Sequence, residues 1–290
     1  MPNVIPAKAG IQAEGEDIRE IRLDSRLRGN DAVVNMSIEA SAPKQNWFSR
    51  LAHPGSFMTW SRPMIVPLAV VTTVLFAVAL YLAFFRAPLE SDNVGTTLPI
   101  LYMHVPNAWL SQFVYGLMFV AAFGTLVWRH PLADVAAKAA APLGAAFTTL
   151  ALYTGALWGR PTWGTFWEWD GRMTSTLILL FIYLSIIALW RAFEDQLKAA
   201  RIVAIVTLVG GVDIPIIKFS VDWWNTLHQP ASIITATGPR MAPEIFLPLI
   251  LMVLAFTLLF LTLHMVNMRT EILRRRVETL SRQAAARTGA

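Results

Sequence analysis

The stretch from Leu157 to Thr174 reads Leu-Trp-Gly-Arg-Pro-Thr-Trp-Gly-Thr-Phe-Trp-Glu-Trp-Asp-Gly-Arg-Met-Thr, with four tryptophans inside twelve residues. Indole faces stack on planar π-systems and gain about 0.5–1.5 kcal/mol beyond area burial. Such a segment could hold a large flat molecule without a covalent bond. The competing explanation is the belt of Trp and Tyr that marks both faces of a membrane protein. Trp47, Trp60, Trp128 and Trp190 fit a belt on one side, while Trp109, Trp158, Trp163, Trp167, Trp169, Trp223 and Trp224 gather on the other. A belt does not need four indoles in one short connection, and a porphyrin is the natural flat candidate.

Histidine adds the means to grip a metal. His53 and His130 each precede a proline, and His264 is placed at the inner end of the last apolar helix. His104, in Leu101-Tyr-Met-His-Val-Pro-Asn-Ala-Trp109, and His228, in Trp223-Trp-Asn-Thr-Leu-His-Gln-Pro230, are expected in outward loops on either side of the Trp-rich one. A lone loop histidine is ordinarily a solvated or capping residue. Two on one face, flanking an aromatic shelf, match the two axial positions of a porphyrin iron.

Charged neighbours have double readings. Asp170 precedes an apolar helix and suits an N-cap. Arg160 and Arg172 could pair with propionates or, equally, with Glu168 and Asp170. Asp213, in Gly210-Gly-Val-Asp-Ile-Pro215, lies about two turns inside its helix. It could mark a proton or substrate path, pair with Lys218, or bond backbone freed by Pro215.

These residues need a scaffold, and composition names it. The 290 residues are 55% hydrophobic and 15% charged, with mean hydropathy +0.50, far from an average soluble domain. Six apolar runs are long enough to cross about 30 Å of hydrocarbon as helices: Met64–Phe85, Trp109–Trp128, Ala139–Trp158, Met173–Trp190, Ile202–Phe219 and Ile245–Met265. The expected fold is all-α, a bundle of six transmembrane helices. Lys and Arg concentrate at one end, in Arg50, Arg62, Arg129, Lys138, Arg191, Lys198, Arg201 and the tail from Arg269. That bias predicts cytoplasmic termini and outward loops 86–108, 159–172 and 220–244. The pI near 9.8 is therefore a topology signal, with no nucleic-acid partner expected. The chain has no cysteine, which excludes thiolate ligation, iron–sulfur clusters and thiol redox steps by its own residues.

Residues 1–45 carry six basic and seven acidic residues, no aromatic and no long apolar run. They read as a disordered extension; Val4–Gln12 and Leu23–Asp31 resemble a translated intergenic repeat, which would put the functional start at Met36. Residues 46–268 form the membrane domain, with the Trp-rich segment at 158–174 and an aromatic lead-in from Trp47 to Trp60. Residues 269–290 form a basic tail expected to rest on anionic lipid.

The run from Trp158 to Thr174 resembles the tryptophan-rich "WWD" signature of membrane haem-handling proteins. With six spans, His104 in the first outer segment and Trp-Trp-Asn-Thr-Leu-His-Gln in the third, the chain is similar to the haem exporter protein C family of cytochrome c maturation. The resemblance covers about Trp60 to Met268. It implies a b-type haem, bound non-covalently and transiently at the outer face of the bacterial inner membrane. Axial ligation would fall to His104 and His228. Trp158, Gly159, Pro161, Trp163, Gly164, Trp167, Trp169, Asp170 and Arg172 would form the platform. The implied partners are a periplasmic haem chaperone, an ATP-binding-cassette pair and a small membrane subunit. The sequence departs from the family pattern at Phe166 (usually Trp), Met173 (usually Leu), Glu168 (usually small and apolar) and Asp213 (usually an amide or similar).

The resulting expectation is an inner-membrane protein that binds haem outside and delivers it for c-type cytochrome assembly. Attachment to the chaperone could be promoted by orientation alone, without independent turnover. Two other classes compete: a transporter moving haem or another substrate through the bilayer, and a structural subunit whose tryptophans dock a partner.

Overall fold

The computed structural model describes residues 53–86, 93–224, 226–228, 238–239 and 241–288, with backbone alone for 93–97 and 288. The N-terminal extension, Trp47 and Phe48, and Arg240 lie outside the described residues. Every regular element among those described is helical: α1 (Pro54–Phe85), α2 (Asn93–Val127), α3 (Ala133–Trp163), α4 (Gly171–Ala192), α5 (Gln196–Gly210), α6 (Asp213–Trp223) and α7 (Pro243–Thr288). With α5 and α6 counted as one span, six helical segments among the described residues are long and apolar enough to cross a membrane.

Helix ends follow local chemistry. His53 caps α1 by accepting from Gly55 N–H at 3.2 Å, with Pro54 opening the helix. His130 accepts from Leu132 N–H at 3.2 Å before α3. Asp195 starts α5 by accepting from the N–H groups of Leu197 and Lys198. α3 ends at Gly164, whose φ of 79° places it in the left-handed region that favours glycine.

Helices α2 and α3 are the centre of the bundle, packed on each other and contacted by α7, α4 and α5. Tyr115 of α2 donates to Thr207 O at 2.9 Å, and Tyr183 of α4 donates to Ser111 O at 2.8 Å, so both buried hydroxyls are satisfied across helix pairs. The outer face of α1 is a stripe of exposed valines, with Val66 69% exposed, as a lipid-facing surface requires.

Three expectations are corrected. The segment 86–108 is not a loop throughout: α2 begins at Asn93 and runs through Pro99 and Pro106, so His104 is helical. Packing in a bundle tolerates proline inside a spanning helix. The segment 158–163 likewise belongs to α3, and only residues 164–170 connect it to α4. His264 is not near a helix end, because α7 continues to Thr288; it is buried against Phe260, with ring centroids 5.3 Å apart and planes 15° from parallel.

Candidate functional site

The C-terminal end of α3 gathers the predicted residues. His104 reaches it from α2. Its Nδ1 lies 3.0 Å from Ala151 O and 3.2 Å from Thr154 Oγ1. A carbonyl only accepts, so Nδ1 carries the proton and Nε2 keeps its lone pair. The ring also meets Trp158 edge-to-face at 5.9 Å. Gly155 makes the approach possible: a Cβ there would stand 2.9 Å from His104 Cε1.

His228 arrives from the segment after α6 and packs on Trp163 at 4.9 Å. Its Nδ1 donates to Asp170 Oδ2 at 2.7 Å, so its Nε2 carries the lone pair as well. Asp170 divides its two oxygens. Oδ1 accepts from Met173 N–H at 2.8 Å and caps α4; Oδ2 takes His228 and the hydroxyl of Thr226. Thr226 Oγ1 further accepts from His228 N–H at 3.1 Å. The N-cap expected from sequence is present, and the same carboxylate orients an imidazole.

Electrostatics suit a neutral ligand. Burial raises the Asp170 carboxyl, but the bonds from Met173, Thr226 and His228 outweigh it and hold Asp170 below the ordinary carboxylate value. Burial pulls the His228 imidazole below its ordinary value of 6.5, against the bond and charge of Asp170 and with help from Arg172. At neutral pH His228 is uncharged. His104, His228 and Arg172 lie within electrostatic reach of one another.

The platform is built in two pieces. Trp158, Gly159, Pro161 and Trp163 close α3; Gly164 turns the chain; Trp167, Trp169 and Asp170 lead into α4. Gly159 is buried under the returning chain, where a Cβ would sit 3.0 Å from Thr165 O. Trp167 and Trp169 meet edge-to-face at 5.4 Å, and Trp169 is 73% exposed. The indole N–H of Trp167 is buried without an acceptor. Arg160 does not pair with Glu168 or Asp170; it donates to Gly164 O and lies over Phe166 at 5.5 Å. Arg172 makes no contact-distance ion pair with a described residue and feels Asp170 and Asp222 at longer range. Glu168 is exposed.

Residues not singled out from sequence complete the site, namely Ala151, Thr154, Gly155 and Thr226, together with Trp224 from the outer group of tryptophans. The ring of Trp224 packs so closely on Gly171 that a Cβ there would lie 2.9 Å from it. Thr226 had a local signal, a hydroxyl two residues before a histidine. Gly155 had none.

Among the described residues no group of three or more His, Cys, Asp or Glu could hold a metal ion. Two imidazoles with unprotonated Nε2 atoms suit instead a metal whose remaining ligands come with it, as in a tetrapyrrole.

A helical membrane protein with a histidine- and tryptophan-bearing end is the class that fold and site define. The profile of the family described as "CcmC: Heme exporter protein C" matches residues 47–283. Relatives named Heme exporter protein C include one from Bradyrhizobium diazoefficiens, 56% identical over 239 residues (82% of this chain, 89% of that one). Another, from Escherichia coli K12, is 43% identical over 219 residues (76% and 85%). A third, from Haemophilus influenzae, is 45% identical over 206 residues (71% and 83%). The chain belongs to the haem exporter protein C family.

Proposed function

We propose that this protein handles haem for cytochrome c maturation, holding the iron between His104 and His228 and the macrocycle against the Trp-rich end of α3. One observation carries the reading: each imidazole has its Nδ1 engaged by a fixed acceptor, Ala151 O or the Asp170 carboxylate, which leaves Nε2 to a metal. An acceptor behind the ligating ring is the usual support of a metal-bound histidine, fixing tautomer and orientation. The residues fit the cargo further. The unpartnered N–H of Trp167 and the guanidinium of Arg172, which has no ion pair with a described residue, are donors suited to propionates.

The Lys and Arg bias supports a periplasmic position for this end, with the basic end of α7 in the cytoplasm. Haem is held there non-covalently and transiently as a b-type group, then handed to a periplasmic haem chaperone. The chain works with an ATP-binding-cassette ATPase, its membrane subunits and a small membrane protein. Its own contribution is binding and orientation.

Purified protein titrated with haem is expected to give a low-spin, six-coordinate absorbance spectrum, and His104→Ala and His228→Ala should each weaken or alter it. Unchanged spectra in both variants would remove the axial assignment.

A further inference from the structure

Between the first turns of α3, the last turns of α4, the start of α5 and α7 is a cavity of about 450 Å³, within the range of small-ligand pockets. The three charged side chains that line it, Lys138, Arg191 and Arg274, are all cationic. Lys138 is fixed: its Nζ bonds Gln196 Oε1 at 3.1 Å, pairs with Glu271 at 3.0 Å and lies 4.8 Å over the ring of Trp190. Arg274 pairs with Glu271 at 2.8 Å and with Glu278 at 2.6 Å. Arg191 has no ion pair with a described residue, so the lining keeps an excess of positive charge. Trp190, which a belt would leave at the interface, is instead buried, and its indole N–H has no acceptor.

The lining is graded. α3 starts at this end and α4 finishes at it. Ala141 and Pro142 therefore lie deeper than Lys138, and Ile187 lies deeper than Trp190 and Arg191. The outer rim carries the cations, an amide and Phe193, and the inner wall is apolar. A free phosphate would use the rim and gain nothing from the wall. A phospholipid uses both, its phosphodiester on the cations and its glycerol and upper acyl carbons inward. Basic pockets between spanning helices bind anionic headgroups in this way.

We propose that this cavity is a binding site for an anionic phospholipid, at the end of the bundle opposite the His104–His228 site. Arg191 is the residue to change first, because it is exposed and supports no described ion pair. Full-length protein in detergent, titrated with phosphatidylglycerol and read by native mass spectrometry, is expected to take up one lipid tightly. It should take up phosphatidylcholine at least about tenfold more weakly. Arg191→Gln should weaken phosphatidylglycerol uptake about tenfold, the worth of one charge-assisted hydrogen bond, and Lys138→Gln should do the same if the variant stays monodisperse. Inorganic phosphate should not compete at millimolar concentration. Equal uptake of the two lipids, or Arg191→Gln binding as the parent does, would overturn the proposal. Displacement by phosphate alone would assign the site to a free anion and overturn the lipid.

Discussion

His228 and Asp170 stand 58 residues apart in the chain and share a 2.7 Å hydrogen bond, while the other oxygen of the same carboxylate caps α4. One side chain therefore holds a helix start, an imidazole and, through Thr226, the segment after α6. Asn caps helices as well as Asp does, so Asp170→Asn should keep the start of α4 while removing the negative charge behind His228. Loss of such support typically costs 10–100-fold in metal affinity. Haem titration of Asp170→Asn should show that weakening, with a smaller drop in thermal midpoint than Asp170→Ala gives. Asp170→Ala should lose haem affinity and about 1 kcal/mol of stability as well. Parent-like affinity in both variants would show that the carboxylate only caps.

Acidification should act in two stages with the same sign. The His228 imidazole titrates below its ordinary value of 6.5 in the folded protein. The unfolded chain binds that proton first, and stability falls as pH drops through 6.5 toward the folded value. Free Nε2 is lost over the same range, so haem affinity should stay flat above neutrality and decline as His228 protonates. Asp170, held below the ordinary carboxylate value of 3.8, adds its loss only at still lower pH, as pH falls through its folded value. Haem affinity measured from pH 8 to 5 in the parent and in Asp170→Asn tests this. Without the carboxylate's pull toward the charged form, the decline should begin at lower pH in the variant.

Gly155 separates binding from folding. Alanine is the better helix former by about 0.8–1.0 kcal/mol, so Gly155→Ala should leave α3 at least as stable as before. Yet the new methyl would stand 2.9 Å from Cε1 of His104, the ring carbon between its two nitrogens. The ring must swing away, taking Nε2 with it. The expected outcome is an intact thermal transition with a weakened low-spin haem spectrum. A parent-like spectrum would show that His104 does not need this position.

The bundle was legible from sequence because a spanning helix needs a long apolar run, and six such runs stand apart from the polar connections. The aromatic end was legible for a related reason: indoles at that density exceed what an interface needs. The placement of His104 was not. Pro99, Pro106 and Asn107 are loop signals locally, and only burial of α2 against α3 and α7 makes the helix continue through them. In that turn the buried Asn107 donates to Met103 O at 2.7 Å. The Nδ1 partners of the two histidines were equally hidden, since Ala151 and Asp170 lie 47 and 58 residues away. Arg160 was ambiguous in sequence between propionate and carboxylate partners, and the helix end took it through Gly164 O.

Asp213 tests the competing reading of a conduit through the bilayer. It opens α6 after the break at Gly211 and Val212, is buried, and its Oδ2 has no hydrogen-bond partner. Neither a pair with Lys218 nor a bond from freed backbone satisfies that oxygen. The break itself is braced elsewhere, by Tyr115 on Thr207 O and by the close packing of Gly210 against Tyr115 and Ile182. A buried polar atom without a partner costs about 1–3 kcal/mol, so Asp213→Asn, which adds a donor and removes any charge, should hold or raise the thermal midpoint. If haem is gripped at the His104–His228 end alone, the variant should also give the parent's haem spectrum and support the parent's level of cytochrome c in cells. Full spectral binding with failed cytochrome c assembly would instead place Asp213 on a route that the cargo or a proton must cross.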